Sequence, residues 1–257
     1  MSVLGYLERR ASNAVLSETE KTSITRSIST ISSRLSSFFS QDVKEQFRFG
    51  SSMRGTILPR FMDDYSDIDY MVVFKDDGST PQTYLNRLKR FAETHYQRSE
   101  IYQSSPTIVL ELGHIKFDLV PAKRDYLNGL KIPDSNAGWQ DTNPNDFNQK
   151  LEDKNKNNQN LIKPTIRLAK FWNASNGYLY DSFLFEKWIV ERWFSSCTNQ
   201  KDYLFAVFDN LISASEQTQW RKDKIVRAQQ IIANVRNYER QGLTAQAEQE
   251  VKKLIPE

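Results

Sequence analysis

Three aspartates stand where carboxylates can act together. Asp67 and Asp69 are two residues apart in Ser66-Asp67-Ile68-Asp69-Tyr70-Met71-Val72-Val73, at the head of an apolar run that reads as a buried strand. Side chains of a strand alternate between its faces, so both carboxylates point one way and Ile68 points the other, into the core. Asp118 lies inside a second apolar run, Ile115-Lys116-Phe117-Asp118-Leu119-Val120, where its charge is driven toward a core or a site and needs a partner such as a metal ion. Carboxylates facing one way from neighbouring strands are what a two-metal transferase requires, because metal ions roughly 3.5–4 Å apart clamp the attacking and leaving oxygens of a phosphoryl-type displacement. Each piece also has a plain structural meaning. An acidic pair can simply open a strand after a turn, and Asp118 could form a salt bridge to Lys116 or Arg124.

A place for the anion precedes the acids. Gly50-Ser51 ends the alternation Val43, Glu45, Phe47, Phe49 and leads into a short helix expected from Ser52 to Ile57. Glycine lets backbone approach a phosphate, and the N–H groups there, with the serine hydroxyl, can bind it. Alone, a Gly-Ser pair is an ordinary turn; its weight comes from standing one strand away from Asp67 and Asp69. Arg54 and Arg60 are open between phosphate contact and solvation, with solvation favoured for Arg60, and Asp63 and Asp64 read as loop acids. His95 and His114 have no cysteine or acid at ligand spacing and read as structural or surface residues, while Trp172, Trp188 and Trp193 read as core.

The elements that must position these groups are legible as patterns. Ser17 and Glu20 stand at capping-box spacing before Ile24, Ile28, Ile31, Leu35 and Phe38, which predicts a long amphipathic helix. Thr80-Pro81 opens a helix carrying Tyr84, Leu88, Phe91 and His95, and strands at Thr107 to Leu112 and Ile115 to Val120 flank a Gly113-His114 hairpin turn, with Pro121 ending the second strand. From Ala122 to about Asp146 the chain is rich in Asn, Asp, Gly and Pro, which predicts an irregular connection and a lobe boundary. The rest reads as helical: a helix through Ile166 and Trp172 with Pro164 near its start, one capped by Asp181 or Ser182, and three more over Tyr203 to Ile212, Trp220 to Tyr238 and Thr244 to Leu254. The expected fold is α+β in two lobes, a catalytic lobe at 1–145 with the long helix and a mixed sheet, and a helical lobe at 146–257.

Composition sets bounds on function. With 39% hydrophobic and 12% aromatic residues, 257 residues can bury a proper core. The net charge of +3, from 35 basic and 32 acidic residues, is unlike a general nucleic-acid coat, so an anion site must be local. Cys197 is the sole cysteine, which excludes an intramolecular disulfide and a thiolate zinc site. The absence of an apolar leader core and of any run of roughly 18 apolar residues predicts a soluble, cytoplasmic protein with no membrane partner.

The strings Phe49-Gly50-Ser51-Ser52-Met53-Arg54-Gly55-Thr56, Ser66 to Val73, and Phe117-Asp118-Leu119-Val120-Pro121 resemble the DNA polymerase β superfamily of nucleotidyltransferases. Within it the chain resembles the bacterial cGAS/DncV-like enzymes, the CD-NTases, over most of its length. That resemblance implies an enzyme that joins NTPs, ATP, UTP or others, into a cyclic di- or oligonucleotide second messenger with release of pyrophosphate. The product would serve antiphage signalling through a downstream effector. It implies two Mg²⁺ or Mn²⁺ ions on Asp67, Asp69 and Asp118, which are also the catalytic residues, and a triphosphate on Gly50 and Ser51. By the same resemblance Lys170 matches a basic residue of the spine helix, Ser182 a serine that helps hold phosphates, and Phe183 an aromatic that stacks on a base. Without the resemblance, Lys170 reads as a solvated helix residue and Phe183 as a core aromatic. The stretch Leu58 to Tyr65 is longer than in many members and is similar to the CdnE-like branch, which includes pyrimidine-using enzymes. No long basic tract points to a nucleic-acid activator, and a monomer is expected. Two alternatives use the same residues: a transferase that places a nucleotide on tRNA or protein, and a catalytically silent nucleotide-sensing module.

Overall fold

Helix α1 (Val3–Asn13) opens on Ser2, whose hydroxyl accepts from the Gly5 N–H at 3.1 Å. Pattern reading passes over this helix, although Val3, Tyr6, Leu7, Arg10 and Ala11 follow helical spacing and are all buried. The computed structural model describes residues 2–134, 136–212 and 218–257. Contacts divide the chain into two compact units: one holds the stretch up to Val15, Phe61–Asp63 and Gln149–Glu257, the other Leu16–Arg60 and Asp64–Asn148. The N-terminal segment thus belongs with the helices rather than with the sheet, because Tyr6 and Leu7 pack on helical partners and the Tyr6 hydroxyl donates to the Ile255 carbonyl at 2.6 Å.

In the sheet unit the long helix is α2 (Glu18–Phe39), and its capping box is complete: the Ser17 hydroxyl accepts from the Glu20 N–H and the Glu20 carboxylate accepts from the Ser17 N–H. Then come β1 (Val43–Arg48), the one-turn α3 (Gly50–Arg54), β2 (Asp67–Phe74), α4 (Pro81–His95), β3 (Ile101–Ser104), β4 (Thr107–Leu112), β5 (Ile115–Arg124), β6 (Leu130–Pro133) and β7 (Trp139–Thr142). The sheet order is β1-β2-β5-β4-β3, with β6 and β7 continuing from β5; β2 and β5 run parallel and the other pairs antiparallel. One face buries Ile68, Tyr70, Val72, Phe117 and Leu119 beneath α2 and α4. The opposite face carries Met71, Val73, Val120 and Ala122, and it is the face of the aspartates.

Two expectations fail here for clear reasons. Pro121 does not end β5. The pairing with β4 stops at Leu119 and that with β6 starts at Lys123, so a proline between them removes no ladder bond on that side. The segment read as irregular holds the β6–β7 hairpin. The turn that leads into it is shaped by the Asp125 carboxylate, which accepts from the N–H groups of Leu127 and Gly129 at 2.9 and 2.8 Å.

The helical unit continues with α5 (Asp146–Lys156), α6 (Ile162–Ser175), α7 (Ser182–Val190), α8 (Gln200–Asp209), α9 (Gln219–Arg240) and α10 (Thr244–Val251). Asp181 caps α7 by accepting from the Leu184 N–H at 2.8 Å. α6 packs on α1, α7 and α8. Trp172 is buried and Trp188 half-buried, but Trp193 is 88% exposed; it follows the end of α7, where helical spacing no longer sets direction. The histidines are structural: the His95 ring lies 5.2 Å from Phe91, and Ser27 Oγ is 3.1 Å from His114 Nε2. Among the described residues no helix is long and apolar enough to cross a membrane.

Candidate active site

The parallel register of β2 and β5 sets Asp67 opposite Lys116 and Asp69 opposite Asp118. Paired residues share a face, so three carboxylates and one ammonium stand side by side there, while Ile68 and Phe117 between them are fully buried on the other face. β4 adds Glu111 opposite Lys116 on that same face. Sequence reading missed Glu111, although counting outward from the Gly113-His114 turn pairs residue 112 with 115 and 111 with 116. Glu111 is engaged by Arg60, whose Nη1 lies 3.6 Å from Glu111 Oε2 and whose Nη2 donates to the Asp64 carbonyl at 2.8 Å. Arg60 is therefore a partner of the acidic face rather than a solvated side chain.

Lys116 brings positive charge into the cluster. Lys116 Nζ lies 3.3 Å from Asp67 Oδ2 and 3.7 Å from Asp118 Oδ1. The salt bridge considered for Asp118 is thus with Lys116; Arg124 pairs instead with Glu45. Even so, Asp118 Oδ1 is buried and accepts no hydrogen bond from the described residues. Burial, with the Asp67 charge adding to it, pushes the Asp118 carboxyl up to about 6 against the pull of Lys116. Burial pulls the Lys116 ammonium down, and Asp118 and Asp67 together outweigh it. Among the described residues no three ligating side chains are drawn tightly enough together to hold an ion as they stand. The Lys116 ammonium lies between two of the acids. Hard carboxylate oxygens, one of them buried with no hydrogen-bond donor among the described residues, fit divalent cations of the Mg²⁺ or Mn²⁺ type.

The Gly50-Ser51 turn is built onto this cluster. The Phe49 N–H donates to the Asp69 carbonyl at 3.1 Å, and the Thr56 and Ile57 N–H groups close α3 on the Ser51 carbonyl. Gly50 has φ +69°, and a Cβ added there would fall 1.7 Å from Asp69 Oδ2, so any side chain here strains the backbone and must push the Asp69 carboxylate aside. Gly55 ends α3 with φ +72°, where an added Cβ meets nothing within 4 Å. The pair makes a controlled test. Gly50→Ala should displace the Asp69 carboxylate and lower NTP-dependent pyrophosphate release about 100-fold or more. Gly55→Ala should cost about 1 kcal/mol in thermal melting and leave the rate near wild type. Arg54, open at the sequence level between phosphate and solvent, is buried with its guanidinium 5.7 Å from the Phe147 ring centroid.

Lys170, Ser182 and Phe183 belong to the helical unit. Lys170 is no solvated residue: its side chain is 6% exposed and its ammonium donates to Glu186 Oε1 at 2.8 Å. Ser182 opens α7 and is half-buried. Phe183 is not in the core; it is 42% exposed, with Lys187 Nζ 5.7 Å from its ring centroid.

Comparison with known proteins adds identity to this geometry. The family model of the Second Messenger Oligonucleotide or Dinucleotide Synthetase (SMODS) domain matches residues 1–155. A protein of Bacillus cereus (strain VD146) described as a probable cyclic nucleotide synthase is 26% identical over 187 residues, 58% of this chain and 55% of that relative. The match thus spans little more than half of the relative's length. CdnC of Escherichia coli MS115-1, solved with ATP, superposes with a TM-score of 0.74 at 14% identity, covering 100% of this chain and 98% of that one. Rhodothermus marinus CdnE, a c-UMP-AMP synthase solved with Apcpp and Upnpp, gives a TM-score of 0.61 at 16% identity over 90% and 96% of the two chains. CdnE enzymes are therefore among the structural neighbours, but likeness of fold does not favour the pyrimidine-using branch over others. Since the family model spans more than half of the chain, including the turn and all three aspartates, the chain belongs to the SMODS family and has the α+β fold of the CD-NTases.

Proposed function

We propose that this chain is a metal-dependent nucleotidyltransferase that joins NTPs into a cyclic di- or oligonucleotide with release of pyrophosphate. The observation that carries this reading is the packing of Gly50 against the Asp69 carboxylate, which joins an anion-binding turn to three acids on one sheet face. Gly50 and Ser51 bind the triphosphate of the donor. Asp67, Asp69 and Asp118 would hold two Mg²⁺ or Mn²⁺ ions, which when bound neutralise phosphate charge and polarise the transferred group. Asp118 takes the proton from the acceptor ribose hydroxyl as that oxygen bonds to the donor α-phosphorus and the bond to pyrophosphate breaks. A second transfer of the same kind closes the ring.

From the helical unit, Ser182 gives a hydroxyl to the phosphates and Phe183 stacks on a base, which suits its exposure. Lys170 serves the β and γ phosphates in this reading, and to do so it must leave Glu186. ATP, UTP or other NTPs are the substrates, and the product reaches a downstream effector in antiphage signalling. The enzyme works as a cytoplasmic monomer without a nucleic-acid activator.

The test is incubation with all four NTPs and Mg²⁺ or Mn²⁺, followed by mass spectrometry. The expected products are pyrophosphate and a phosphatase-resistant cyclic nucleotide. Transfer of label only to added tRNA or protein would overturn cyclisation. Nucleotide binding without pyrophosphate in either metal would overturn the enzymatic reading altogether.

A further inference from the structure

Lys116 stands among the acids of this face, and the proposed reaction leaves it without a task. Its position is nonetheless defined closely. It sits opposite Asp67 in the parallel ladder and opposite Glu111 in the antiparallel one, two residues from Asp118 on the same face. Its side chain is 14% exposed, and its ammonium reaches Asp67 Oδ2 at 3.3 Å and Asp118 Oδ1 at 3.7 Å. Glu111, the acid on its other side, is within ion-pair distance of Arg60, so the charge of Lys116 is spent on the two aspartates.

Carboxylates drawn together on a partly buried face repel one another and require a counter-cation. A divalent ion bound by Asp67 and Asp118 would use the same oxygens that the ammonium approaches. Resting on the reading of these aspartates as metal ligands, we propose that Lys116 is an internal cation that holds Asp67 and Asp118 in the metal-free protein and competes with the divalent ion for them. It acts as a positioning residue: it steadies the face before metal arrives and weakens metal binding, because the ammonium must withdraw before both carboxylates can close on an ion.

The experiment uses the full chain stripped of metal with EDTA and then titrated with Mn²⁺, free Mn²⁺ being followed by electron paramagnetic resonance, with thermal melting recorded before and after saturation. Lys116→Met should bind Mn²⁺ about 10-fold more tightly, since one competing charge within ion-pair distance has been removed. It should also melt below wild type without metal and regain most of that difference at saturating Mn²⁺. Lys116→Arg, which keeps the charge, should resemble wild type in both. Lys116→Gln is measured alongside, so that a folding defect peculiar to methionine does not decide the matter, and it should move in the same direction as Lys116→Met. Unchanged or weaker Mn²⁺ binding in both neutral variants would overturn the inference while the metal reading stands, provided Asp69→Asn has lost the ion. Wild-type affinity in Asp69→Asn would sink both.

Discussion

Asp69→Asn is expected to lower NTP-dependent pyrophosphate release by roughly 1000-fold or more, because a metal ligand at the reacting phosphate supplies several kcal/mol of transition-state stabilisation. Asparagine keeps the volume and one acceptor oxygen but loses the charge. Asp69 is the central acid: it stands opposite Asp118 in the ladder, its carboxylate fills the space against Gly50, and its carbonyl accepts the Phe49 N–H that anchors the turn. Only the carboxylate is altered by the substitution, and the backbone bond remains. The fold should therefore hold, with a melting temperature within a few degrees of wild type. Rates are read by pyrophosphate release at saturating NTP and Mg²⁺, with circular dichroism as the check on folding. A variant that keeps a rate within about 10-fold of wild type would remove Asp69 from the catalytic set.

Lys170→Met is expected to destabilise the protein by about 3–5 kcal/mol, since it strips from the buried Glu186 carboxylate the ammonium that lies against it. No discount for solvent applies, because the two side chains are 6% and 1% exposed. A loss of that size corresponds to a fall in melting temperature of about 10 °C or more for a chain of this length. The double variant Lys170→Met with Glu186→Leu removes both charges and should recover most of the loss, as apolar replacement of a buried pair commonly does. Denaturant unfolding of the two variants is the measurement. A Lys170→Met protein as stable as wild type but with a raised KM for NTP would show that the lysine serves phosphate rather than the fold. The two roles are thus separable by experiment.

The strand character of Asp67 to Phe74 and of Ile115 onward was legible from the chain, and with it the shared face of Asp67 and Asp69 and the inward direction of Ile68. These are consequences of a two-residue period, which neighbouring residues impose on one another. The capping box of Ser17 and Glu20, the Thr80-Pro81 helix start and the Asp181 cap were legible for the same reason: each is settled by groups three or four residues apart. Local spacing also misled. Pro121 signalled an end that strand pairing did not require, and Trp193 stood in step with a helix that had already stopped.

What only the tertiary structure decided are the partners. Nothing near Asp69 in the chain specifies that Asp118 lies beside it; a register shift of one residue would have put Phe117 there and turned the third acid into the core. The same holds for Lys116 between Asp67 and Asp118, for Arg60 on Glu111, and for Glu186 on Lys170, a pairing between two helices that reverses the plain reading of that lysine as solvated. Periodicity determines which way a side chain faces, but long-range packing determines what it meets there. The three aspartates could therefore be chosen from the sequence as candidates, while the lysine among them, and the packing of Gly50 against the Asp69 carboxylate, follow only from the folded sheet.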